Sequence, residues 1–160
     1  VVMKDGIVQQ FDTPQNLYDY PDNLFVAGFI GSPQMNFIDA VIENKGGKYY
    51  AVVGRNQLLI PAEKAEKLAS YVGKKVILGL RPEAFLTENE RTEDNTMNGA
   101  LSFSELLGAD FNLYVSVDDA KLIVRIPAEG EKPAPGAVKI AADMSRAHFF
   151  DVDTQLVITH

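Results

Sequence analysis

Between Phe111 and Val117 every second residue is apolar. Phe111, Leu113, Val115 and Val117 are separated by Asn112, Tyr114 and Ser116. A period of two marks a strand with one buried face. Asp118-Asp119 then turns the chain into Lys121–Ile126, where Leu122, Val124 and Ile126 alternate with Lys121, Ile123 and Arg125. A connector rich in Pro and Gly, Pro127 to Gly136, precedes a strand predicted over Ala137–Ala142. Met144-Ser145-Arg146 reads as one helical turn. His148-Phe149-Phe150-Asp151 and Gln155–Ile158 read as a closing hairpin.

The first half carries different signals. Asp5-Gly6, between Val1-Val2-Met3 and Ile7-Val8, predicts a β-hairpin with a type I′ turn. Thr13 followed by Pro14 predicts a helix start, with Thr13 as N-cap and a stop before Pro21. A second short helix is predicted from Asp22 to Ile30, capped by Asn23 or Asp22 and stopped by Gly31. Strands are predicted over Asn36–Glu43, Lys48–Val53, Gln57–Ile60 and Lys75–Leu80, with a helix over Ala62–Tyr71 opened by Pro61. Residues 87–96 are polar and read as an exposed loop. Short strands with turns about every ten residues imply a small barrel or sandwich.

Composition narrows the chemistry. The chain has 160 residues, 46% apolar and 23% charged, within the globular range. It has no cysteine, which excludes disulfides, thiolate metal sites and a cysteine nucleophile. The net charge of -7 argues against gripping a phosphate backbone. No apolar run reaches the ~18 residues of a membrane span. The chain opens on strand-like residues without an initiator methionine, and is expected to be a piece of a longer protein.

Four ordered blocks carry a resemblance. Gly28-Phe29-Ile30-Gly31-Ser32-Pro33-Gln34-Met35-Asn36-Phe37 resembles the linker of ATP-binding subunits of carbohydrate ABC importers, the maltose and multiple-sugar group. The segment before it, with Gly6, Gln10, Thr13-Pro14 and Tyr18, resembles the end of their nucleotide-binding domain. Gly79-Leu80-Arg81-Pro82-Glu83 resembles a later signature, and Glu105-Leu106-Leu107-Gly108 with the strand after it resembles the next block. The resemblance implies a mainly β fold: an OB-type β-barrel regulatory domain, the transport-associated OB domain, with a short α-helical N-terminal appendage. Residues 1–33 would be the tail of the nucleotide-binding domain and its linker, and residues 34–160 the regulatory domain.

The family's function follows as an expectation. The full subunit would use ATP and magnesium beneath a membrane permease, on the cytoplasmic side. Its partners would be a second copy of itself, its own nucleotide-binding domain, the permease subunits and a regulatory protein, with no nucleic acid. No Gly-x-x-x-x-Gly-Lys-[Ser/Thr] phosphate loop occurs in this chain, and Gly46-Gly47-Lys48 reads as a turn. The piece is therefore expected to be non-catalytic, to need no cofactor or metal, and not to bind ATP tightly.

Candidate site residues are structural or interfacial. Gly28, Phe29, Gly31, Ser32, Pro33, Met35, Asn36 and Phe37 form the linker motif, in which small residues allow close packing and Met35 and Phe37 anchor the first barrel strand. Arg81, Pro82 and Glu83 form a turn in which Pro82 ends a strand and the two charges face water or pair. By the resemblance, the surface around 104–125 and 143–151 is the contact face, with Glu105, Leu107, Phe111, Tyr114, Arg125 and Phe149 as candidates. His148 is read as packed or solvent-facing rather than catalytic, and Glu63, Glu66, Glu88 and Glu90 as solvated charges. Two other functions compete: a single-strand-binding OB module, disfavoured by the negative charge and the absence of tryptophan, and a β-barrel sensing a sugar or an oxyanion. Leu24, Phe25, Val26, Phe29 and Ile30 are expected to pack partly on a preceding domain. Without it, residues 1–30 are expected to fold back on the barrel, swap with a neighbour or promote a dimer.

Overall fold

The computed structural model describes residues 1–160. The first hairpin, β1 (Val2–Lys4) and β2 (Ile7–Gln10), turns where Asp5 and Gly6 take φ of 51° and 77°. Helix α1 (Pro14–Asp19) starts at Thr13, whose hydroxyl accepts from the Asn16 N–H. Helix α2 (Leu24–Phe29) starts at Asn23, whose side chain accepts from the Val26 N–H. Each cap satisfies one of the donors that a helix start leaves unpaired.

From Met35 onward the chain is almost entirely antiparallel sheet. The strands are β3 (Asn36–Lys45), β4 (Lys48–Val53), β5 (Asn56–Leu59), β6 (Lys75–Leu80), β7 (Phe85–Leu86), β8 (Thr96–Leu107), β9 (Asp110–Val117), β10 (Ala120–Pro127), β11 (Gly136–Ala142), β12 (His148–Asp151) and β13 (Val157–Thr159). Helix α3 (Ala62–Leu68) ends in a 3-10 turn over Ala69–Tyr71. No helix is long and apolar enough to cross a membrane.

Two curved sheets result, in the orders β10-β9-β8-β11-β7 and β13-β12-β6-β3-β4-β5. Their inner faces share one core. Ile38, Ile42, Leu58, Val76, Leu78 and Leu80 meet Met97, Leu113, Val115, Leu122, Val124 and Ile140 across it. The alternation read over 111–117 holds: Phe111, Leu113, Val115 and Val117 all point inward. The one long strand missing from the sequence pattern is β8. Its alternation is broken by a register shift between Leu101 and Phe103, so no clean period of two appears.

Two buried asparagines close the gaps between the sheets. Asn36, at the start of β3, donates from Nδ2 to the Ile123 carbonyl at 2.9 Å and accepts from the Ile123 N–H at 2.8 Å. Its amide copies a peptide group and pairs the free edge of β10. The Arg125 N–H on the same edge donates to the Pro82 carbonyl at 2.7 Å. Across the molecule, Asn56 accepts from the Asn98 N–H at 2.9 Å and donates to the Val53 carbonyl at 3.2 Å, tying β5 to β8. Sheet edges left unpaired would otherwise bury unsatisfied groups or recruit another chain.

Replacing Asn36 by Ala leaves the Ile123 N–H and carbonyl without partners. The expected cost is about 2 kcal/mol, since an unsatisfied buried polar group costs roughly 1–3 kcal/mol. Urea unfolding followed by tyrosine fluorescence measures it; an unchanged midpoint would show that the seam contributes nothing.

Candidate functional site

Arg81 sits at the end of β6, where the barrel meets the helical N-terminus. It is 3% exposed. Its Nη1 donates to the carbonyls of Ala27 at 3.2 Å and Ile30 at 2.6 Å, and its Nη2 to the Tyr18 carbonyl at 2.8 Å. The guanidinium lies 4.0 Å from the centroid of the Tyr18 ring. These carbonyls belong to the last turns of α1 and α2, the negative ends of both helices. One planar cation thus holds two helix ends against the barrel, a task that suits a guanidinium fork and not an ammonium. Burial, partly offset by Asp19, lowers its pKa to about 10, so it stays charged at neutral pH.

This corrects the reading of Arg81-Pro82-Glu83 as a turn whose charges face water or pair. Arg81 faces inward and pairs with no carboxylate; the two ion pairs of the molecule are Lys45–Glu43 and Arg91–Glu88. Glu83 takes part through its carbonyl, which accepts from Arg146 Nη1 at 2.7 Å. Pro82 contributes the carbonyl that Arg125 bonds. Sequence reasoning missed the role because Arg81 finds its partners 51 to 63 residues earlier.

The linker motif packs around the same point. Gly31 has φ of 110°, and a Cβ there would meet Arg81 Nη1 at 3.0 Å. A Cβ on Gly28 would lie 3.2 Å from the Phe37 ring. Met35 is buried with Ala27 and Phe150, and Phe37 makes an edge contact with Phe150 at 6.1 Å. Gly79 leaves room for Met35 and Phe150, which a Cβ would meet at 2.5 and 2.9 Å. Ser32 offers its carbonyl to Arg125 Nη2 at 3.3 Å, and the Ser32–Pro33 peptide is cis. Phe29 is 63% exposed and stacks on Phe25.

Two histidines complete the junction. His148 is buried, with its Nδ1 3.2 Å from Nδ1 of His160. The His160 ring in turn meets Tyr20 edge-on at 5.4 Å, in the segment joining α1 to α2. Burial, with the neighbouring His160, Arg81 and Lys64, pushes the pKa of His148 down to about 3. Burial, helped by Lys64, also lowers that of His160. Lys64 is buried and donates to the Ala147 carbonyl at 3.0 Å. Glu63, Glu66, Glu88 and Glu90 are exposed.

The expected contact face divides. Glu105, Leu107, Tyr114 and Arg125 reach the surface, and Tyr114 stacks on Phe103 at 4.2 Å while its hydroxyl donates to Glu105. Leu106 and Leu107 are exposed at the tip of the β8–β9 hairpin, and Phe103 is 52% exposed. Phe111 and Phe149 were placed on this face wrongly. Both are buried in the core, because they fall on the inward parity of their strands. The stretch 143–151 is likewise mostly interior, with Met144 and Ala147–Phe150 buried. No group of three or more His, Asp or Glu side chains comes together in a way that could hold a metal ion.

Arg81→Met should strip three carbonyls of their donor and loosen residues 13–30 from the barrel. Hydrogen exchange there should speed up about 100-fold, from roughly 3 kcal/mol of lost charged hydrogen bonds. Arg81→Lys should not restore protection, and unchanged exchange in both variants would refute the anchoring role. Acid should act through His148. Unfolded, it binds a proton near pH 6.5; folded, only near pH 3. Between these values the unfolded chain holds more protons, so stability falls as pH drops through that window. His148→Gln should flatten the dependence, as measured by thermal melts from pH 7 to 4.

Comparison with known proteins places the chain among described families. Residues 31–85 match the MalK OB fold domain family and residues 78–150 the TOBE domain family. The chain is 41% identical over 160 residues to the uncharacterized ABC transporter ATP-binding protein YcjV of Escherichia coli O6:H1 (strain CFT073), covering 99% of this chain and 43% of that protein. It is 37% identical to the oligosaccharides import ATP-binding protein MsmX of Bacillus subtilis (strain 168), covering 99% and 44%. The chain thus spans less than half the length of these relatives. Among solved structures, the molybdate-bound cytoplasmic protein ModG shares the fold, with a TM-score of 0.51, 14% identity and coverage of 71% of this chain and 94% of that one. The barrel whose first strand is anchored by Met35 and Asn36 belongs to the MalK OB fold and TOBE domain families, and the relatives it matches are ABC transporter ATP-binding proteins.

Proposed function

We propose that this chain is the regulatory part of the ATP-binding subunit of an ABC importer for oligosaccharides. The observation that carries the reading is the ordered pair of family matches over residues 31–150, continuous with a helical segment gripped by Arg81. The names of relatives such as MsmX supply the oligosaccharide. In this reading the piece does no chemistry and needs no cofactor. ATP and magnesium act in a preceding domain, and the subunit sits on the cytoplasmic side of the membrane against permease subunits.

The N-terminal ribbon supports a preceding domain. Val1, Met3, Ile7, Val8 and Phe11 are all exposed along β1, β2 and the residues that flank them. At about 25 cal/mol per Å² of apolar surface, covering such a ribbon is favourable. Residues 1–33 then form the last part of the nucleotide-binding domain, and 34–160 the regulatory domain. Arg81 transmits displacement between them, because it is rooted at the end of β6 and bonds the carbonyls of Tyr18, Ala27 and Ile30.

Homodimerisation is the mechanical role this reading assigns to the barrel. The row of Phe103, Tyr114 and Leu107 on one face of the β8–β9 hairpin suits a second copy, with aromatic anchors beside apolar area. A regulatory protein that binds one arrangement of the dimer better would shift its equilibrium.

Cells carrying the full gene should take up labelled oligosaccharide, and cells whose copy ends before residue 31 should not. In the full subunit, Phe103→Glu with Leu107→Glu should weaken dimerisation at least about tenfold by sedimentation, as expected when hot-spot residues are lost. Normal uptake by the truncated copy would refute the regulatory reading. An unchanged dimer would move the interface elsewhere.

A further inference from the structure

The five-stranded sheet curls until β7 nears β10, and the gap between them opens as a cleft at one end of the barrel. The cleft encloses about 460 Å³. Its floor is apolar: Phe85, Leu113, Val124 and Ile140 line it from four strands, and each is already largely buried. A second hollow of about 690 Å³ adjoins it, and none of its lining residues is hydrophobic. Glu88, Arg91 and Lys139 line both. A cleft with an apolar floor and a polar rim, to which Glu129 belongs, therefore meets a polar hollow across a boundary that carries two cations and the Glu88 carboxylate.

Those cations are under-used. Arg91 Nε is buried without an acceptor. Its Nη1 meets only Glu88 at 3.5 Å, and the Glu88 side chain is 84% exposed, so that pair is weak. Lys139 makes no ion pair. The loop bearing Arg91 is preset: Thr87 donates to Glu90 through both its N–H and its hydroxyl, and Asn95 donates to the Glu90 carbonyl. Small-ligand sites have this make-up, with an apolar wall, a few fixed polar groups and a place at a barrel mouth.

We propose that this mouth binds a small carboxylate with an apolar body, its tail on Phe85, Val124 and Ile140 and its head on Arg91 and Lys139. A carboxylate satisfies a guanidinium with two parallel hydrogen bonds, which the weak Glu88 contact does not supply. Glu88 is the internal competitor for Arg91, and leaves it when the ligand enters. The site lies on the barrel alone, so it does not depend on the importer reading.

Titration of the ¹⁵N-labelled chain with octanoate, followed by NMR, tests the proposal, with octanol as the uncharged control. Octanoate should give saturable shifts at Phe85, Arg91, Lys139 and Ile140, and octanol should bind about tenfold more weakly. Arg91→Gln should weaken octanoate about tenfold, while Glu88→Gln should tighten it. Val138→Trp, which fills the cleft, should abolish the shifts; unchanged spectra elsewhere establish that each variant folds. Equal binding of octanol, indifference to Arg91→Gln, or shifts confined to residues 1–11 would each overturn it.

Discussion

A sheet edge inside a protein must find partners for its N–H and C=O groups, and this fold depends on how it meets that demand. Neither sheet closes on itself. β10 and β5 would both end in unpaired backbone beside a shared core. Asn36 and Asn56 supply the missing groups from side chains, and both are nearly fully buried. Because an amide side chain carries one donor side and one acceptor, it can stand in for a peptide where no strand fits. The two sheets then act as one barrel, with a single core and no free edge at either seam.

The junction with the N-terminal helices uses a different solution. A buried cation without a carboxylate is costly unless its hydrogen bonds are met. Arg81 offsets most of that cost through its two Nη atoms, which bond three carbonyls at helix C-termini, and through the face of Tyr18, while its Nε is left without an acceptor. The neighbouring His148 stays neutral because burial and that same cation disfavour a second charge. The barrel and the helical segment are therefore joined by directional bonds rather than by apolar contact alone. Such bonds hold one relative orientation of the two parts.

The outer surface separates roles that the strand pattern mixes. Successive residues of β9 face opposite ways, so Phe111 is core while Tyr114 reaches solvent. One-sided burial leaves an aromatic pair, exposed Phe103 on half-buried Tyr114, on the far side of the sheet. Apolar surface remains also on the N-terminal ribbon. Both patches are places where a larger assembly gains from contact.

Periodicity, turn chemistry and caps were legible from the sequence alone, because each depends on residues a few positions apart. Asp5-Gly6, Thr13-Pro14 and the alternation over 111–117 set their elements locally. The linker and Gly-Leu-Arg-Pro-Glu blocks were visible as motifs, and the family followed from their order. What they do was not visible. Asn36 pairs a strand edge 87 residues away, Arg81 caps helices more than 50 residues earlier, and Lys64 reaches Ala147 across 83. The start of β8 was hidden by its bulge, and Phe111 and Phe149 were misplaced because exposure depends on which sheet face meets the core. Local rules determined the elements; the closing of the barrel, and the buried charge that ties it to the helices, were decided by tertiary contacts, where distant polar groups must be satisfied together.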